Sequence, residues 1–155
     1  MIDLHRILVP TDFSKSSDNA LTYAVAFAEK FGASIHLLHV VQDLALFIPE
    51  AVSVAPPVVP PVEQMTAAVR EALQRVVRDN DLGRFTVHCD VREGTPFYEI
   101  IQFAKEAAVD LIIMGTHGHT GLAHVLLGSV TEKVVRKAPC PVLTVRDPEH
   151  EFVHP

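Results

Sequence analysis

The residues from Leu111 to Val145, LIIMGTHGHTGLAHVLLGSVTEKVVRKAPCPVLTV, constrain the fold more tightly than any other stretch. An apolar run, Val109 to Met114 broken only by Asp110, stops at Gly115. Glycines recur at Gly115, Gly118, Gly121 and Gly128, four of the seven in the chain. Ser129 follows, then a helical pattern that would place Val130, Val134 and Val135 on one face, then the β-like run Pro141 to Val145. A buried strand, a glycine-rich loop, a helix and a second strand make a βαβ unit. Such a loop suits a phosphate. Glycine lets backbone N–H groups approach an anion, and a helix start adds unpaired donors and partial positive charge. Ser129 adds a hydroxyl at that helix start.

The spacing sets this loop apart from two common phosphate loops. Val130 follows Ser129 and the nearest lysine is Lys133, so the Gly-Lys-Ser/Thr ending of a P-loop is missing. The Gly-x-Gly-x-x-Gly fingerprint of dinucleotide-binding folds does not occur either. What is present is Gly115-x-x-Gly118, nine residues, then Gly128-Ser129. This resembles the ATP-binding signature of the universal stress protein family, Gly-2x-Gly-9x-Gly-Ser/Thr. The opening stretch RILVPTDFSKSSDNALTYAVAFAEKFGASIHLLHVV resembles the start of the same family.

The remaining chain alternates strand and helix patterns. His5 to Val9 reads as a first strand, ended by Pro10-Thr11-Asp12. Ser14, Ser16 or Ser17 can cap the next helix, whose apolar stripe is Ala20, Ala24, Phe27, Ala28 and Phe31 and whose stop is Gly32. Ser34 to Val41 is a second buried strand. Val62 to Arg78 has helical spacing, with Met65, Ala68, Val69, Ala72, Leu73, Val76 and Val77 inward, and Met65 is expected in the core. Phe85 to Val91 reads as an edge strand. Thr95 and Pro96 then start a third helix that buries Ile100, Ile101, Ala104, Ala107 and Ala108, before the fourth strand at Val109 to Met114.

This βαβαβαβαβ order predicts an α/β fold, Rossmann-like. It is an open five-stranded parallel sheet in the order 3-2-1-4-5, with helices on both faces. Strands one and four then adjoin at the switch point, so Asp12 and the Gly115 loop face one crevice. Residues 1–146 are expected to form one domain, with a proline-rich insertion at 43–61 and a tail at 147–155. The insertion, with five prolines and no glycine, cannot be a regular helix or central strand; Leu46, Phe47 and Ile48 suit either a packed loop or a surface one.

Composition narrows the function classes. A formal charge of −6 without a basic stripe gives no support for nucleic-acid binding. No apolar run approaches the roughly 20 residues that span a bilayer, and the start MIDLHRILVP does not read as a secretory signal, so a cytoplasmic location is expected. The two cysteines, Cys89 and Cys140, lack zinc or C-x-x-C spacing, and Cys89 is expected as a buried thiol. His5, His117, His119 and His124 do not have a spacing that forces convergence on a metal. Thr116-His117-Gly118-His119 matches a short nucleotidyltransferase motif, but after the fourth strand rather than the first, and is read as coincidence. There is no Gly-x-Ser-x-Gly elbow, no lysine or arginine between Gly115 and Glu132, and no evident catalytic pair. Phosphoryl transfer relies on such cations, so binding without fast turnover follows.

The family resemblance implies more. Pro10, Thr11, Asp12 and Val40 would hold the adenosine. Met114, Gly115, Gly118, Gly128, Ser129, Val130 and Thr131 would line the phosphate and ribose side. ATP would be the ligand, with Mg²⁺ carried by its phosphates and no dedicated protein ligand. A homodimer through the last strand, residues 141–146, would act as a nucleotide-dependent switch in stress response on an unidentified downstream protein. The alternatives are a slow ATP-hydrolysing enzyme and a dimeric interaction protein that binds no nucleotide.

Overall fold

The computed structural model describes residues 1–42, 62–117 and 127–146. The expected insertion and tail, and with them Gly118, Gly121, His119 and His124, lie outside the described residues. The elements run β1 (Arg6–Pro10), α1 (Lys15–Phe31), β2 (Ser34–Val41), α2 (Val62–Asp79), β3 (Val87–Glu93), α3 (Pro96–Glu106), β4 (Leu111–Gly115), α4 (Ser129–Lys137) and β5 (Val142–Val145). All strand pairs are parallel, and the sheet order is β3-β2-β1-β4-β5.

Every central strand is apolar on both sides because both faces are covered. On one face Ile7, Val9, Ile35, Leu37 and Ile113 pack with Ala20, Ala24, Ala28 and Leu73, from α1 and α2. On the other, Leu8, Leu38, Ile112 and Met114 pack with Ile100, Phe103, Ala104 and Val134, from α3 and α4. Asp110, the break in the apolar run, has a job at the amino ends of the strands. Its Oδ2 accepts the N–H groups of His5 and Arg6, each at 2.8 Å, and Arg6 Nη1 donates to Ala107 O.

Helix boundaries follow local chemistry. Ser14 caps α1 by accepting from Ser17 N at 3.3 Å, and Gly32 ends it at φ 69°. Thr95 occupies the cap position of α3, ahead of Pro96, but its side chain makes no capping bond; its carbonyl accepts from Glu99 N instead.

Several expectations on burial are corrected. Val135 is 45% exposed and Phe31 37%, whereas Val134 is fully buried. Each sits at the margin of a helical stripe too narrow to include it. Ala68 and Ala108 are exposed; Ala108 lies beyond the end of α3, at φ 47°. Phe103, missed in the sequence, is buried in place of Ala108. Cys89 is half-buried, because β3 is an edge strand with α2 on one face only; burial first, then Asp90, pushes its thiol pKa up. The third strand begins at Val87, two residues later than expected, after a 3-10 turn at Leu82–Arg84.

Gly115 shows why the end of β4 carries no side chain. A Cβ there would stand 2.8 Å from the carbonyl oxygen and 2.9 Å from the carbonyl carbon of Ser16, and closer still to its hydroxyl. Backbone cannot yield as a flexible side chain can. Gly115→Ala is therefore expected to cost about 1–3 kcal/mol of stability, read as a lower urea midpoint at unchanged m-value. A loss below about 0.5 kcal/mol, the range of neutral surface changes, would contradict this packing.

Candidate functional site

A crevice of about 480 Å³ opens at the carboxyl ends of β1, β2 and β4, where the chain leaves β1 for one face and β4 for the other. That volume lies within the roughly 300–1,000 Å³ usual for small-molecule sites. Pro10, Thr11 and Asp12 line it from the β1 side and Val40 from β2. Met114 and Gly115 come from β4, and Gly128, Ser129, Val130 and Thr131 from the start of α4. Of the residues that the family resemblance assigned to the ligand, all except Gly118, which lies outside the described residues, thus share one cavity.

The β1–α1 turn is a directed hydrogen-bond chain. Ser17 Oγ donates to Ser14 O at 2.8 Å, so its one proton is used. The Thr11 hydroxyl, 3.1 Å away, must then donate to Ser17 Oγ while accepting from Phe13 N at 3.0 Å. Asp12 Oδ1 accepts from Ser14 N at 3.0 Å, an Asx turn that orients the carboxylate at the crevice. Phe13 sits at φ 63°, costly for a residue with a Cβ, and its ring stacks on His39 at 4.9 Å.

The end of β4 and the start of α4 are tied together. Gly128 N donates to Thr116 O at 2.7 Å, and the buried Thr131 hydroxyl donates to Gly115 O at 2.9 Å. A Cβ on Gly128 would come within 3.2 Å of Thr116 O, so this approach also favours glycine. Gly128 is the N-cap of α4 and supplies no side-chain cap, which leaves the first N–H groups of the helix directed at the crevice end. With Thr131 occupied, exposed Ser129 is the hydroxyl available to a ligand.

Sequence reasoning missed part of the lining. His39, Gln42 and Ser17 join on the β1–β2 side, Pro96 and Ile100 from α3, and His117 from the loop after β4. Their common signal was position at a strand or helix end facing the switch point. Met65, expected in the core, instead lines the crevice with Val69, half-buried at the start of α2. His5 is not near this loop at all; its carbonyl accepts from Ser34 N at the opposite end of the sheet.

The charge pattern is specific. None of the described lining residues is lysine or arginine. Lys133 and Lys137 of α4 lie over the Phe97 ring, at 4.8 and 5.8 Å from its centroid, and are not among them. Among the described residues no group of three His, Cys, Asp or Glu is placed to hold a metal ion. No described helix is long and apolar enough to cross a membrane. Anion binding here would rest on N–H dipoles and a hydroxyl. Thr131→Val, which strips Gly115 O of its buried partner, is expected to cost about 1–3 kcal/mol in urea unfolding, whereas Thr131→Ser keeps the bond. Equal stability of the Val and Ser variants would contradict the assignment.

Comparison with known proteins agrees with this fold. The sequence profile of the universal stress protein family matches residues 4–146. The chain is 36% identical over 146 residues to universal stress protein MJ0531 of Methanocaldococcus jannaschii, covering 94% of this chain and 84% of that one. The solved structure of MJ0577, named a universal stress protein of the same organism, superposes with a TM-score of 0.76 at 33% identity, covering 94% of this chain and 98% of that one. A universal stress protein solved in complex with cAMP superposes with a TM-score of 0.64 at 25% identity, covering 93% of this chain and 98% of its own. Fold, profile and relatives coincide over nearly the whole chain, which belongs to the universal stress protein family.

Proposed function

We propose that the crevice binds ATP and that the chain is a cytoplasmic, dimeric, nucleotide-dependent switch in stress response. The observation that carries this proposal is the convergence of two unlike ends on one cavity. On one side stand the carboxylate of Asp12 and the open edge of Val40; on the other, the uncapped start of α4 with Ser129. An acidic residue suits ribose hydroxyls, and a helix start suits phosphates. The cAMP bound by a relative is an adenine nucleotide and favours the same ligand class here. Pro10, Thr11, Asp12 and Val40 would hold the adenosine, and Met114, Gly115, Gly118, Gly128, Ser129, Val130 and Thr131 the remainder.

Magnesium fits only as a passenger. The described lining offers one carboxylate, Asp12, and hard cations held by protein usually need more. Mg²⁺ would thus arrive on the phosphates, neutralising charge that no described lining cation meets. This donor set holds a triphosphate but gives little extra to a transition state, so slow hydrolysis at most is expected.

The dimer would form through β5. Among the described residues that strand pairs with β4 alone, and Val142, Leu143 and Thr144 on it are only half-buried. Such an edge invites pairing with a second copy.

The test is to denature freshly purified protein, identify any released nucleotide by chromatography, and titrate emptied protein with Mg-ATP calorimetrically. Binding is expected, with ATP recovered rather than ADP. Asp12→Ala should weaken it by about tenfold and Ser129→Ala by about threefold to tenfold, each the worth of one polar contact. Neither released nucleotide nor binding heat would sink the proposal. Recovery of ADP or AMP alone would favour a hydrolase.

A further inference from the structure

The edge that Val40 presents to the crevice exists because the β1–β2 ladder stops early, and particular side chains stop it. Strand alternation orients the pairing. Leu38 O accepts from Thr11 N at 2.8 Å, so Leu38 points its polar groups toward β1; Val41 O accepts from Gly94 N at 2.9 Å, so Val41 points its own toward β3. Val40, two residues after Leu38, therefore turns its N–H and C=O toward β1. In an uninterrupted parallel ladder the Val40 N–H would donate to Thr11 O, and Val40 O would accept from Phe13 N.

Both would-be partners are engaged elsewhere. His39 Nδ1 lies 2.8 Å from Thr11 O. A carbonyl only accepts, so Nδ1 carries the proton. Phe13 N donates to the Thr11 hydroxyl, which is held in place by donating to Ser17 Oγ. Strand pairing accordingly ends at Pro10↔Leu38, one rung before Val40. The His39 ring also stacks on Phe13, pinning the left-handed residue that turns the chain away.

We infer that His39 is a positioning residue that ends the ladder: by holding Thr11 O on its Nδ1 and Phe13 against its ring it keeps the turn after β1 out of register with Val40, whose main chain stays open to pair with the edge of a nucleobase. The adjacent N–H and C=O of one strand residue match an edge with an acceptor beside an amino donor, as adenine carries at N1 and N6. This rests on the proposed nucleotide site and assigns its base selectivity to His39 acting through Thr11. Nothing in the inference touches the phosphates, which meet α4 on the other side of the crevice.

The experiment measures Val40 amide hydrogen exchange by NMR in the wild type, His39→Leu and His39→Asn, alongside affinities for Mg-ATP and for inorganic tripolyphosphate. Asn places an amide N–H where Nδ1 stands, and Leu places none. In the free wild type the Val40 amide is expected to exchange fast and to become protected when ATP is added. In His39→Leu it should be protected without ATP, as Thr11 O is released to it. That variant should lose about tenfold in ATP affinity while tripolyphosphate affinity stays within about twofold. His39→Asn should restore most of the ATP affinity, the lost ring stacking accounting for the rest. A protected Val40 amide in the free wild type, unchanged exchange and ATP affinity in His39→Leu, or equal losses for both ligands would each overturn the inference. If the wild type binds no ATP, the nucleotide proposal fails, and the exchange comparison still decides whether His39 ends the ladder.

Discussion

The approach of Gly115 to the backbone of Ser16 decides where this molecule can hold anything. β1 and β4 are neighbours, yet α1, which follows β1, covers one face of the sheet and α4, which follows β4, covers the other. At that divergence the end of β4 lies against the first turn of α1, with no room for a side chain between them. A crevice follows from the topology alone. Its chemistry follows from what the two diverging segments bring: a carboxylate on a bonded turn, and a helix start with no side-chain cap.

The donors on the anion side are mostly fixed before a ligand arrives. Gly128 N and the Thr131 hydroxyl tie the start of α4 to Thr116 O and Gly115 O, so the helix axis is aimed by the scaffold. Such preorganised dipoles hold a ground-state anion at small entropic cost. Acceleration of phosphoryl transfer asks for groups that gain strength as charge moves, usually cations, and the described lining has none from lysine or arginine. Binding and turnover thus make different demands on one site, and the proposed function rests on the first.

The fold was largely legible in the sequence because its strands are buried on both faces and its helices are punctuated. The apolar run expected as a strand over 109–114, which forms β4 at Leu111–Gly115, and the stretch SIHLLHVV read as buried strands, and Ser14, Gly32 and Pro96 marked helix ends by local backbone chemistry. Where the outcome differed, tertiary context decided. Val135 and Ala68 fit a helical stripe by spacing, but the surface each helix meets is narrower than the stripe. Cys89 was expected to be buried although its strand was read as an edge, and with α2 on one face only it is half-buried. Gly115 and Gly128 were recognisable from a spaced motif, and Asp12 and Val40 from the family resemblance of the opening stretch. His39 was not, since its importance is a bond to a backbone carbonyl 28 positions away that no periodicity encodes. Met65 likewise read as core, because a methionine on an apolar stripe looks the same whether it faces a helix or an empty crevice.

The account stands on the crevice being the place where an adenine nucleotide sits. Backbone amide shifts followed by NMR during a Mg-ATP titration test that most directly. The predicted result is saturable movement centred on Asp12, Val40, Ser129 and Val130, with the amino ends of the strands around His5 and Asp110 unmoved. Saturable shifts centred elsewhere, or none with ATP in large excess over the protein, would contradict it.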